Sequence, residues 1–219
     1  MEKEILSRRQ KQLLEVIGHD VAIRSQFYLT GGTPLAAFYL YHRYSEDLDF
    51  FSQNEFDPIN ISAFFKKNQN ELGFRKIETE TRLNRNLFFL TYSDEEIKLE
   101  FTYFPFERIQ TGYREYDLEV DSLIDIATNK LFSIYQRTKA RDYIDLYFLL
   151  KSPEISLPDL IKKAGAKFET GLNTLQLVSK FLDADKLTDY PRLIIKLQPT
   201  EWISFFEEQA RSLKKKILE

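Results

Sequence analysis

The chain has 219 residues, 43% of them apolar and 30% charged, with seven Gly and seven Pro. That is long enough and apolar enough for a sizeable core, and it excludes low-complexity and long-linker architectures. There is no cysteine, which excludes disulfides, a thiolate nucleophile and Cys-ligated zinc. No run approaches the ~20 apolar residues that span a bilayer. The N-terminal Met-Glu-Lys-Glu-Ile-Leu-Ser-Arg-Arg is charged where a signal peptide would be apolar, so a cytoplasmic protein with no membrane partner is expected. Net charge is −3, divided as −5 over residues 1–120 and +2 over residues 121–219. A general nucleic-acid coater would be far more basic.

In chain order, Ile5, Leu6, Leu13, Leu14 and Ile17 predict an amphipathic helix over residues 3–17. Phe27–Thr30 is a short apolar run, a strand or a helix end, leading into the turn Gly31-Gly32-Thr33. Pro34 suits a first helical turn, and a buried helix is expected from Leu35 to Tyr41. Asp47–Phe51 reads as a strand, Ile59–Leu72 as a helix with Gly73 as its stop, and Phe74–Glu80, Arg85–Tyr92 and Ile97–Phe104 as strands. Asp117–Asp121 marks a boundary, after which the pattern is helical. Asp121 or Ser122 caps a helix running to Arg137, Arg141–Leu150 forms the next, and helices follow at residues 157–168, 172–182 and 199–217. The expected class is α+β, with a sheet-bearing core over residues 1–120 and a helical C-terminal lobe over 121–219.

The chemistry concentrates in the first half. Alternate strand residues share a face, so Asp47 and Asp49 project together while Leu48 and Phe50 project the other way. Paired carboxylates repel unless something positive offsets them, and Mg²⁺ commonly takes one or two carboxylates together with substrate phosphates. The upstream glycine turn offers backbone N–H groups that a phosphate can approach. Together these suit phosphoryl or nucleotidyl transfer. In the strand over Ile97–Phe104, Ile97, Leu99 and Phe101 share one face and Lys98, Glu100 and Thr102 the other. Glu100 is therefore either a third carboxylate of that site or a solvated edge residue. Later, Asp142 and Asp145 lie on one side of a helix, with Arg137, Lys139 and Arg141 adding local positive charge. His19 and His42, far apart in sequence, are expected at the surface, and histidine-centred hydrolysis is disfavoured. The basic run Arg211–Lys216 is expected to be a solvated helix end.

The segments Leu-Thr-Gly-Gly-Thr-Pro-Leu, Arg43-Tyr-Ser-Glu-Asp-Leu-Asp-Phe-Phe51 and Lys130-Leu-Phe-Ser-Ile-Tyr-Gln-Arg-Thr-Lys-Ala-Arg-Asp-Tyr-Ile-Asp-Leu-Tyr147 resemble the AbiEii-type nucleotidyltransferases. These are toxins of bacterial toxin–antitoxin and abortive-infection pairs within the DNA polymerase β-like superfamily. The resemblance covers residues 27–150. It implies a mixed β-sheet nucleotidyltransferase core flanked by helices, and a helical lobe completing the nucleotide cleft. It also implies transfer of a nucleoside monophosphate from an NTP with Mg²⁺ or Mn²⁺; the acceptor expected is transfer RNA, another RNA or a protein, and a cognate antitoxin is the expected partner.

Residue by residue, Gly31, Gly32 and Thr33 match the phosphate-binding turn, and Asp47 and Asp49 the metal ligands. Glu100 matches a third catalytic and metal carboxylate by position. Lys130 matches the lysine on nucleotide phosphates, and Asp142 or Asp145 the later acid, with Asp142 preferred as catalytic. Arg141 and Asp145 join the nucleotide-binding set. Thr33 stands where the superfamily usually has Ser, and the spacing from Thr33 to Asp47 is longer than usual there. A small-molecule, antibiotic-modifying nucleotidyltransferase and a non-catalytic nucleotide- or partner-binding protein on the same fold are the competing readings.

Overall fold

A computed structural model describes residues 4–218, with side chains through residue 215. Lys3, where the first helix was expected to begin, and the Lys216 side chain lie outside that range. Two compact units divide the chain: one of residues 1–39, 44–107 and 111–122, the other of residues 40–43, 108–110 and 123–219.

The first unit is built on a seven-stranded mixed sheet. α1 (Arg8–His19) is closed by a capping box in which Ser7 and Gln10 satisfy each other's backbone N–H groups. A short α2 (Val21–Gln26), capped by Asp20, was not foreseen. β1 (Tyr28–Thr30) leads into the helical turn α3 (Gly32–Pro34), which continues as a π-helix over Leu35–Leu40. β2 spans Leu48–Ser52, so Asp47 sits one residue before the strand that was expected to contain it. α4 (Pro58–Lys67) and α5 (Gln69–Leu72) replace one expected helix, and Gly73 ends the second in the left-handed region at φ 73°. β3 (Lys76–Arg82), β4 (Arg85–Thr91) and β5 (Glu96–Tyr103) form an antiparallel meander. Two strands were too short to show a periodicity in the sequence: β6 (Arg114–Glu115) and β7 (Leu118–Val120).

The strand order is β3-β4-β5-β2-β1-β7-β6. β2 pairs parallel with β5 and antiparallel with β1, and β1 pairs parallel with β7. One face of this sheet is an aromatic core. Phe50 stacks on Phe101 with centroids 4.9 Å apart, and Phe27, Phe65 and Phe88 meet Phe101 edge-on. Burying each such ring contributes about 1.5–3 kcal/mol, which accounts for the large Phe complement of this half.

The second unit is helical: α6 (Leu123–Gln136), α7 (Ala140–Leu149), α8 (Leu157–Lys167), α9 (Thr174–Leu182), a 3₁₀ turn at Asp183–Lys186, and α10 (Pro199–Leu218). Its core holds Tyr143, Phe181, Trp202 and Phe206, all buried. Arg211, Lys214 and Lys215 are exposed on α10. Among the described residues no helix is long and apolar enough to cross a membrane.

Candidate active site

The glycine turn and the aspartates touch. Gly31 has φ 83° and ψ −150°, a region open essentially to glycine alone. A Cβ there would stand 2.5 Å from Oδ2 of Asp49. Glycine is thus required twice at this position, by the backbone and by the approach of the carboxylate. Thr33 is buried and its hydroxyl donates to the backbone carbonyl of Asp47. It ties the turn to the aspartate segment, so this hydroxyl is engaged within the protein. The Gln10 side-chain amide donates to the carbonyls of Ser45 (3.2 Å) and Glu46 (3.0 Å), fixing the same segment from α1.

Sheet register assembles the rest. Thr30 pairs with Asp49 across β1–β2, and Asp49 with Glu100 across the parallel β2–β5 ladder. Directly paired residues project to one face, so Thr30, Asp49 and Glu100 share the face opposite the Phe50–Phe101 stack. Asp121, fully buried beyond the end of β7, accepts a 2.7 Å hydrogen bond from the Thr30 hydroxyl. It is a further carboxylate in this region that the sequence offered only as a helix cap.

The solvated-edge reading of Glu100 does not hold. β5 lies between β4 and β2, and Glu100 is 5% exposed. Arg85 binds both its oxygens, at 2.6 and 2.5 Å, and the Thr102 hydroxyl adds a bond of 2.8 Å. Burial works against its charge, but Arg85, Thr102 and Lys98 together hold its pKa below the ordinary value. Arg85 itself is held above its ordinary value, first by Glu100 and then by the nearby charges of Asp49 and Asp47. Lys98 lies 2.8 Å from Asp47 Oδ2. Arg85 had no sequence signal of its own, because only the register that sets it opposite Thr102 brings it here. Lys98 had one, since alternation places it on the face of Glu100.

In the second unit Lys130, Asp142 and Asp145 meet. The Lys130 ammonium lies 2.8 Å from Asp142 and 2.7 Å from Asp145, and is nearly buried. Asp145 also takes Arg43 at 2.7 and 2.9 Å and His42 at 2.7 Å. Arg137 reaches Asp142 at 3.1 Å. Burial opposes charge on both acids, yet the surrounding cations win: Asp142 is held below its ordinary value and Asp145 well below it. Burial likewise opposes charge on Lys130, and the two aspartates raise it. His42, expected at the surface, is fully buried, because its partner lies 103 residues further on. His19 is exposed, as is Arg141 on α7.

Among the described residues no three His, Cys, Asp or Glu side chains are arranged to hold a metal ion. On this sheet face Arg85 engages both oxygens of Glu100, and Lys98 one oxygen of Asp47. Asp47 and Asp49, both half-buried, are hard oxygen donors of the kind that fits a divalent ion completing its shell with phosphate and water.

A mixed sheet of this order, with its helices, is a nucleotidyltransferase-type fold. It matches a candidate nucleotidyltransferase from Helicobacter pylori with a TM-score of 0.64 and 24% identity, covering 98% of this chain and 99% of the other. It matches MenT4, the nucleotidyltransferase toxin Rv2826c of Mycobacterium tuberculosis H37Rv, with a TM-score of 0.62 and 19% identity over 94% and 81% of the two chains. The uncharacterized protein aq_aa25 of Aquifex aeolicus (strain VF5) is 30% identical over 169 residues, 74% of this chain and 76% of its own. Residues 13–214 match the family described as nucleotidyl transferase AbiEii toxin, type IV toxin–antitoxin system, and the chain belongs to that family.

Proposed function

We propose that this protein moves a nucleoside monophosphate from an NTP to an RNA acceptor such as tRNA, and that it acts in the cytoplasm as the toxin of a toxin–antitoxin pair. The observation that carries the chemistry is the convergence of Gly31, Asp49 and Glu100, fixed by strand register and by the missing Cβ at residue 31. Asp47 and Asp49 would hold Mg²⁺ or Mn²⁺, which when bound lowers the charge barrier between nucleophile and triphosphate.

The chain's own residues do the rest. The Gly31–Thr33 turn offers N–H groups to phosphate oxygens. Thr33 and Gln10 hold the Asp47 segment against it, so the carboxylate meets the nucleotide already placed. Glu100 completes the acidic face and aims Arg85 along it. The motif resemblance suggests that Lys130 binds the nucleotide phosphates, a role that requires its ammonium to exchange one of its two carboxylates for phosphate. Asp142 and Asp145 then set the charge it must leave, and Arg141 is the exposed cation on the same helix.

The test is to incubate the protein with each labelled NTP, Mg²⁺ and total RNA. Label in RNA from at least one NTP is expected. Label confined to a small-molecule acceptor would replace the RNA reading with the antibiotic-modifying one. No label in any acceptor would end the transferase reading. An antitoxin is expected to suppress growth arrest when its gene is co-expressed.

A further inference from the structure

Lys98 occupies an unusual place among the cations of this sheet. Its ammonium sits 2.8 Å from Asp47 Oδ2, one of the two carboxylates assigned to the metal. The pair is accessible, with 28% of the Lys98 side chain and 31% of the Asp47 side chain exposed. A divalent ion and an ammonium compete for that oxygen, because like charges about 4 Å apart repel even through water. When the ion takes it, the lysine is driven toward another anion. Its stem has four rotatable carbons, so it can swing without moving β5. The neighbouring carboxylate on its own strand is not open to it, since Arg85 and Thr102 already engage the oxygens of Glu100. Glu96, two residues earlier on the same face, is exposed, and the anion newly brought beside Asp47 is the one delivered with the ion, the polyphosphate of the nucleotide.

We infer that Lys98 is a partner-switching phosphate ligand: it neutralises Asp47 while the metal is absent, and binds the nucleotide's polyphosphate once the metal takes Asp47. This rests on the proposed function and deepens it. Lys98 is thereby a substrate-binding residue. The geometry also separates it from Lys130, whose ammonium is fixed between two buried carboxylates.

The inference makes two effects of opposite sign follow from one substitution. Lys98→Met keeps the stem and removes the charge. Mn²⁺ binding to the nucleotide-free protein, read by electron paramagnetic resonance, should tighten by about threefold to fivefold, the range set by losing one partly exposed ion pair as competitor. Binding of magnesium pyrophosphate, read by calorimetry, should weaken by about tenfold or more, as expected for losing a charge-assisted bond. Lys98→Arg should keep most of the pyrophosphate affinity and covers the case of a poorly folded Met variant. Tighter Mn²⁺ with unchanged pyrophosphate affinity would make Lys98 a mere counter-ion and overturn the inference, as would unchanged or weaker Mn²⁺ binding. Both readouts need no turnover. A wild-type protein that labels no acceptor would therefore sink the proposed function separately. Wild-type transfer beside an unaltered pyrophosphate affinity in Lys98→Met sinks only the switching role.

Discussion

Lys98 and Asp47 pair on the sheet face with about a third of each side chain in water, while Lys130, Asp142 and Asp145 pair in the helical unit with the acids fully buried. The chemical groups are the same, and the environment makes them different objects. An exposed pair is worth about 0–1 kcal/mol and exchanges readily. A buried one has already lost its hydration, so stripping one partner leaves a charge with nowhere to go. A change of partner therefore costs little on the sheet face and much in the helical network, where Lys130 could reach phosphate only by giving up a buried carboxylate.

The sharpest way to break that comparison is to make one substitution in both places. Lys130→Met should destabilise by about 3–5 kcal/mol, because Asp142 and Asp145 lose their shared cation. Lys98→Met should cost no more than about 1 kcal/mol. Urea denaturation of the two variants measures both, and equal losses would erase the distinction. Calorimetry with Mg-NTP on whatever folded Lys130→Met is recovered then reads the family's phosphate role, and wild-type affinity would confine this lysine to the network.

A second effect concerns activity alone. Asp49→Asn is nearly isosteric and removes one of several clustered negative charges, so the fold should persist and the melting temperature hold or rise slightly. Transfer should fall by about 100-fold or more. A variant within tenfold of wild type in the RNA-labelling assay would remove Asp49 from the mechanism.

The smallest effect is pH dependence. Asp142 and Asp145 have folded pKa values below their ordinary 3.8, so they stabilise above that value, and the contribution is lost as pH falls below it. Lys130 is raised above its ordinary 10.5, so its contribution is whole below that value and is lost as pH rises past it. The stabilising contribution of this network in the wild type should thus stay level from roughly pH 5 to pH 10 and shrink outside. A steep change near neutrality, measured by thermal melts across that range, would place the titrating group elsewhere.

Much of the sheet was legible because β4 carries a continuous apolar run and β5 is long enough to show period-two patterning, and the split of Glu100 from Leu99 and Phe101 came directly from the latter. The burial of Glu100 was not legible, since it depends on β5 lying between β4 and β2. Nor was Arg85, whose place depends on a cross-strand partner. The glycine turn and Asp-x-Asp stood out as motifs, but the contact between Gly31 and Asp49 is a product of antiparallel pairing. In the helical unit the spacing of Asp142 and Asp145 put them on one side of α7. Two partners of Asp145, His42 and Arg43, lie about a hundred residues earlier, beyond the reach of any local pattern.

Gln10 carries a consequence for motion. One side-chain amide closes the first turn of α1 through its oxygen and holds the carbonyls of Ser45 and Glu46 through its nitrogen. Fraying of that helix end and release of the strand entrance before Asp47 are therefore a single opening, with a shared free energy. Residues separated by some 35 positions should lose protection against hydrogen exchange together. The order of the acidic face then rests on how firmly the chain's first helix keeps its cap.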